Sequence, residues 1–304
     1  MTGDKPQKDP SQSESEAPGT DTPGESESES HGEPQTKPVE SDPEESKPTE
    51  PAGREYGSVR ALSEAEITAI ESLYDGSIRN YTANGSLNEN GRPQPCVDTA
   101  NRLYDLFEYV HVFYSTDKEC ALTFILESTD EDQANAILDA LAAKNVKATF
   151  FASQIYEAAH PDIIRRLLLE KHVLGSLGAT NPSDGLAVYG LIDQHRDILN
   201  FYNYVYDKYD YKMTSFFYNH DVYSDRACAL VTQMGNDLYF YTVSYHDNTT
   251  SEIDRSSFLW SMKSLIHSGA IYSFHAVNPA VAEILPELID YITASGYTIK
   301  CIGK

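Results

Sequence analysis

CALTFILESTDEDQANAILDALAAKNVKATFFAS, residues 120–153, decides the fold class. It opens with the apolar run 120–126, which has the length and branching of a buried strand. DEDQANAILDALAAKN follows at helical period, with Ala136, Ile137, Ala140 and Leu141 on the inward face. KATFFAS then returns to a strand. Two apolar strands joined through a helix pair in parallel.

The same alternation continues downstream. PDIIRRLLLEKH is predicted helical, with Pro161 in its first turn. VLGSLGA reads as strand or loop, LIDQHRDILNFYNYVYDKY as a long helix and MTSFFY as a strand. DRACALVTQMG is a helix closed by Gly235. DLYFYTVSY is predicted as one strand, SSFLWSMKSLIHSG as a helix ending at Gly269, and AIYSFHA as a strand. NPAVAEILPELIDYITASG and YTIKCIG close the series as helix and strand. So many repeated units favour an α/β barrel over an open sheet, with chemistry expected at the carboxyl ends of the strands.

Upstream, the texture changes. ALSEAEITAIESLYDG begins with a capping box, Ser63 with Glu66, and sets Ile67, Ile70, Leu73 and Tyr74 on one helical face. A polar loop, NYTANGSLNENGRPQP, and a mixed segment, TANRLYDLFEYVHVF, complete a helical extension over 54–117, expected to pack on the main domain at 118–304. Residues 1–53 contain no aromatic side chain, and fourteen acids there face four lysines. Such a Ser/Pro/Glu-rich tract cannot bury enough apolar surface to fold and reads as a disordered acidic linker.

The chain carries a net charge of −24 over 304 residues. That balance excludes nucleic acid and anionic lipid as principal partners. No stretch reaches the ~18 apolar residues of a membrane helix, and no signal peptide or lipid-anchor motif is visible. A long Ser/Glu/Pro spacer is what a surface protein carries between anchor and domain, so an extracellular or cell-surface location is expected. Cys96, Cys120, Cys228 and Cys301 show no zinc spacing, and either disulfides or separate thiols fit them.

The strand ends bring a resemblance. Residues 120–153, HPDIIRRLLLEKHVLGSLGATNP and SGAIYSFHAVNPAVAEILPELIDYITASGYTIK resemble successive blocks of the polysaccharide deacetylases, the NodB-homology domain of carbohydrate esterase family four. The last block is nearest the delta-lactam-biosynthetic de-N-acetylases of Gram-positive bacteria. The resemblance implies a distorted, partly open (β/α) barrel. It also implies a divalent metal such as zinc, held by Asp-His-His, and an Asp base that activates water against an N-acetyl carbonyl.

Those residues are replaced here. The base position is Ile125, and Leu126 stands where an acid often binds metal. The two metal histidines correspond to Leu177 and Asn181, and the Arg that positions the catalytic acid corresponds to Phe217. Asp247 keeps its place in the fourth motif, and His275 stands at the general-acid position of the fifth. With the ligands absent, no metal or other cofactor is expected. The chain is predicted to be a catalytically degenerate homologue that binds cell-wall glycan or a wall-associated protein through the old groove. The alternative is an active N-deacetylase with a rearranged site among Glu127, His220, Asp221, His246, Asp247 and His275.

Each of these has a plainer reading. His220, Asp221 and His246 suit a solvated loop, Asp247 a turn cap, Glu127 a helix cap and His275 a satisfied core histidine. Dense tyrosines in NFYNYVYDKYDYK and LYFYTVSY suit glycan stacking or simple packing, Tyr202 and Tyr206 being at helical spacing. The Asn-x-Ser/Thr triplets at Asn80, Asn84 and Asn248 are of a frequency that chance supplies.

Overall fold

The computed structural model describes residues 59–127 and 131–303; the tail expected to be disordered, 1–53, lies outside the described residues. In chain order come α1 (Glu64–Leu73), β1 (Arg79–Asn80), α2 (Gln94–Tyr104), β2 (Val110–His111), β3 (Glu119–Ile125), α3 (Glu131–Ala143) and β4 (Thr149–Ala152). Next are α4 (Gln154–Ala159), α5 (Pro161–Leu169), β5 (Val173–Ser176), α6 (Leu191–Tyr209), β6 (Ser215–Phe216) and β7 (Val222–Tyr223). The chain continues through α7 (Asp225–Gln233), β8 (Asp237–Tyr239), β9 (Val243–Ser244), α8 (Arg255–Ser264), β10 (Ala270–His275), α9 (Pro279–Ala294) and β11 (Thr298–Lys300).

The main sheet runs β2-β8-β6-β5-β4-β3-β10-β9, with β11 also paired to β3. Every pairing within it is parallel. This is the distorted, partly open (β/α) barrel that the family resemblance implied, and it bears out the barrel expected from the strand–helix alternation. Its curl has a covalent cause. β8 lies beside one edge of the sheet and β9 forms the other, yet only residues 240–242 separate them. That short connection spans at most about 14 Å of extended chain, so the edges are drawn round towards each other. DLYFYTVSY is therefore two strands rather than the one predicted. Its unbroken apolar run gave no sign that the chain changes neighbours in the middle.

β3 is the central strand. From Cys120 to Ile125 every side chain is buried, as both faces of a parallel sheet require. Phe124 stands in register with Phe150 on β4 and Phe274 on β10. Their ring centroids lie 5.0 and 5.6 Å from it. Each such side chain contributes about 1.5–3 kcal/mol of burial free energy. α9 covers this region with Val281, Ile284, Leu285, Leu288, Ile289 and Ile292 buried.

The amino half of β3, Glu119–Ala121, pairs with β11, while its carboxyl half, Thr123–Ile125, pairs with β4. The sheet thus forks at β3. Residues after β11 fill the fork, because Thr149 Oγ1 donates to the Ile302 carbonyl at 2.9 Å and accepts from its N–H at 3.0 Å.

The segment 54–117 is tied into this architecture where it is described. α1 carries the predicted capping box between Ser63 and Glu66, β2 extends the main sheet beside β8, and β1 pairs antiparallel with β7. Cys96, Cys120 and Cys228 are separate buried thiols. Among the described residues no helix is long and apolar enough to cross a membrane.

Candidate functional site

The carboxyl ends of the strands open into a cleft of about 560 Å³. Glu127, just after β3, borders it, and the stretch after β6 brings Phe217, Asn219, His220 and Asp221. The crossing between β8 and β9 adds Tyr241. Tyr245, His246 and Asn248 follow β9, and His275 ends β10. A second hollow of about 270 Å³ lies towards β4 and β5, with Glu127 and His220 bordering both.

The strongest polar contact in the cleft comes from strand register. Ser273 pairs with Ser244, so the chains reach His275 and Asp247 side by side. Asp247 Oδ2 accepts from the His275 backbone N–H at 3.0 Å, and Oδ1 lies 3.1 Å from His275 Nδ1. Asp247 is fully buried, whereas the imidazole is about one-fifth exposed to the cleft. Burial alone disfavours the imidazolium. The Asp247 hydrogen bond and charge, with the charges of Glu127 and Asp221, outweigh it and hold the His275 pKa above the ordinary histidine value. Asp247 and His275 are thus a hydrogen-bonded pair at the cleft floor.

His220 and Asp221 both adopt left-handed backbone conformations, φ +64° and +57°. Two successive non-glycine residues there store strain that the surroundings must offset. Asp221 is exposed in its turn, as the solvated-loop reading expects, yet its carboxylate is engaged. Its Oδ1 accepts from Tyr241 Oη at 2.8 Å. Burial pushes its carboxyl pKa up, against the Tyr241 bond and the charges of His275 and His220. Asn219 bridges the cleft centre, donating from Nδ2 to the Glu127 carboxylate and to Asn181 Oδ1 at 3.3 Å. Glu127 is thus engaged across the cleft.

Beneath the cleft, at the ends of β3 and β5, the side chains are apolar and buried. Ile125 and Leu126 are fully buried at the end of β3, and Leu177 is buried after β5. Phe217 packs its ring 5.4 Å from that of Phe151. Asn181 sits at φ +43°, a conformation asparagine tolerates. Its loop is clamped by Asp197 of α6, whose carboxylate accepts from the N–H groups of Ala179 and Thr180 and from the Thr180 hydroxyl, at 2.7, 3.1 and 2.6 Å. A Cβ on Gly178 would come 2.2 Å from Asp197 Oδ1, so glycine permits the clamp.

Among the described residues no three His, Cys, Asp or Glu side chains gather as metal ligands. Three apolar side chains and an amide at Ile125, Leu126, Leu177 and Asn181 do not fit the divalent ion that the resemblance implies.

Sequence reasoning did not single out Asn219 or Asp197, named Tyr241 and Tyr245 only within a tyrosine-rich stretch, and discounted Asn84 and Asn248. The last two line the cleft. Their sequence signal was a triplet that chance supplies equally well, and Asp197 gave no signal because its partners lie in a distant loop. Of the two tyrosine-rich stretches, the helical one packs, with Tyr202 buried and donating to the Ser215 carbonyl at 3.0 Å. The other delivers Tyr241 and Tyr245 to the cleft.

Comparison with known proteins agrees with this architecture. Residues 114–251 match the sequence profile of the family described as polysaccharide deacetylase. A 30.6 kDa protein of Geobacillus stearothermophilus is 25% identical over 76% of this chain and 88% of its own length. The peptidoglycan-N-acetylmuramic acid deacetylase PdaA of Bacillus subtilis is 25% identical over 74% of this chain and 86% of its own. The PdaA structure superposes with a TM-score of 0.66 at 22% identity, covering 75% of this chain and 96% of that one. A carbohydrate esterase family 4 pseudoenzyme from Bacillus anthracis superposes with a TM-score of 0.54 at 19% identity, covering 62% of this chain and 65% of that one.

Proposed function

From the match of residues 114–251 to the polysaccharide deacetylase family, we propose that this chain is a catalytically silent member of it that binds cell-wall glycan at a Gram-positive cell surface. One observation carries the reading: the positions of the family's base and metal ligands hold Ile125, Leu126, Leu177 and Asn181, and the first three are buried in hydrocarbon. An aliphatic side chain accepts no proton and holds no ion, so water stays unactivated. The cleft nevertheless keeps a binding surface. Tyr245 offers a partly exposed ring for a sugar, Phe217 and Tyr241 being buried behind the lining, and Asn84, Asn248 and Glu127 offer hydrogen-bonding groups. The family includes a pseudoenzyme on the same fold, and the relatives named for an activity act on peptidoglycan. A wall-associated protein is the other occupant consistent with such a surface.

The Asp247–His275 pair favours a second reading, an active amide hydrolase using the polar groups of the cleft with His220, Asp221 and His246. One experiment separates the two. Purified protein is titrated with chitooligosaccharide and muropeptide by calorimetry, with and without zinc, while released acetate is assayed. Saturable binding that ignores zinc and releases no acetate supports the silent binder. Zinc-dependent acetate release overturns it, and zinc-independent release that disappears in His275→Ala establishes the second reading.

A further inference from the structure

Tyr81 lies outside residues 114–251, yet three hydrogen bonds build it into the cleft wall. The ladder between β1 and β7 pairs Arg79 with Tyr223 and Asn80 with Val222. One residue further, the Tyr81 N–H donates to the Asp221 carbonyl at 2.7 Å. The Tyr81 hydroxyl donates to the Tyr241 carbonyl, and the Tyr241 hydroxyl donates to Asp221 Oδ1 at 2.8 Å. Tyr81, Tyr241 and Asp221 form a closed ring of contacts. The Tyr81 ring is buried edge-on to Tyr241, centroids 5.2 Å apart, and 4.8 Å from Phe240. Phe240 and Tyr241 belong to the three-residue crossing between the sheet edges, so the ring sits in the barrel's opening.

This arrangement accounts for the strained corner. Left-handed conformations at His220 and Asp221 persist only if neighbours over-determine them. The Tyr81 N–H holds the backbone of Asp221, and Tyr241, itself held by Tyr81, fixes its carboxylate. Three residues beyond Tyr81, Asn84 faces the cleft with an exposed side chain.

We infer that residues 79–84 form a specificity wall of the cleft, in which Tyr81 is a positioning residue for Asp221 and Tyr241 and Asn84 contacts the bound glycan. The ligand-contact part rests on the glycan-binding reading; the positioning part does not. A glycan lying in the cleft therefore meets a segment outside residues 114–251, the stretch that matches the family profile.

The test uses the full chain as Tyr81→Phe and Asn84→Ala beside wild type. Chitotetraose affinity is measured by calorimetry, the His275 ring proton is titrated by NMR, and Tm is recorded. Glu127, Asp221 and Asp247 act on His275, and His220 adjoins Asp221. A displaced Asp221 charge lowers the His275 midpoint. Asn84→Ala is expected to weaken chitotetraose about 2- to 10-fold, the worth of one hydrogen bond, with Tm and the His275 titration unchanged. Tyr81→Phe is expected to lower the His275 midpoint and weaken binding together. An unchanged His275 midpoint in Tyr81→Phe, even with a lower Tm, overturns the positioning role. Wild-type affinity in Asn84→Ala overturns the contact. If wild type binds no glycan, the functional reading fails and Asn84's role with it, while the Tyr81→Phe titration still decides the rest.

Discussion

Two groups of strand ends stand on one sheet and differ in what they bury. At β3 and β5 the strand ends carry Ile125, Leu126 and Leu177, which add to the core. At β9 and β10 they carry Asp247 and His275, a hydrogen-bonded pair whose acid is fully buried. Hydrocarbon at a strand end stabilises the barrel at no electrostatic cost. A buried carboxylate is costly unless a partner compensates it. One group has been given over to stability, while the other keeps polar side chains that shape a surface.

Placing an acid in the apolar group gives the largest expected effect. Leu126→Asp buries a carboxylate with no partner and should cost about 3–5 kcal/mol, read as a steep fall in denaturant midpoint. If that group is a vestigial metal site, the combination Ile125→Asp, Leu126→Asp, Leu177→His and Asn181→His should recover stability when zinc is added, because a metal that binds only the folded state stabilises it. Destabilisation that zinc leaves unaltered would show that the positions never formed a site.

In the polar group, Asp247→Asn should cost about 1.5–3 kcal/mol, the worth of a hydrogen bond to a charged group. The sign with pH follows from the raised His275 pKa. Its contribution is fully present below about 6.5, the unfolded value, and is lost as pH rises through the higher folded value. The Asp247→Asn penalty is therefore larger at pH 6 than at pH 9. His172 behaves oppositely: burial first, then the Lys147 charge, lowers its pKa to about 4 despite Glu170 and the Ala148 N–H. Stability from His172 is present above about 6.5 and falls as pH drops towards 4. A His172→Gln variant should flatten that acid limb and leave the pH 6 to 9 limb unchanged.

Asp197→Ala should cost about 1–2 kcal/mol by releasing the loop that carries Leu177 and Asn181, with faster amide exchange at Ala179 and Thr180. The smallest effect is expected from Glu127→Gln. It should move Tm little, since the Gln Oε1 can still accept from Asn219 Nδ2, but it should lower the His275 midpoint by removing one of the charges that raises it.

The difference between the two groups was partly legible in sequence. Strand and helix periodicity placed Ile125, Leu126 and His275 at strand ends, because those elements are long and locally encoded. The amphipathic α9 and the capping box at Ser63 and Glu66 were legible for the same reason. The pairing of Asp247 with His275 was not, since it depends on the register between β9 and β10. Nor was the break between β8 and β9, or the reach of Tyr81 to Asp221 across 140 residues of chain. These are set by which strands become neighbours, and no local pattern encodes that.

The fork at β3 has a kinetic consequence. β11 pairs with Glu119–Ala121, and Ile302 bonds to Thr149, so this seam joins segments separated by more than 150 residues. Closing so long a loop is entropically costly and delays the contact until nearer neighbours are in place. The seam should be the last joint of the barrel to zip and the first to fray. Its amides should then exchange by local opening, ahead of those in the centre of β3.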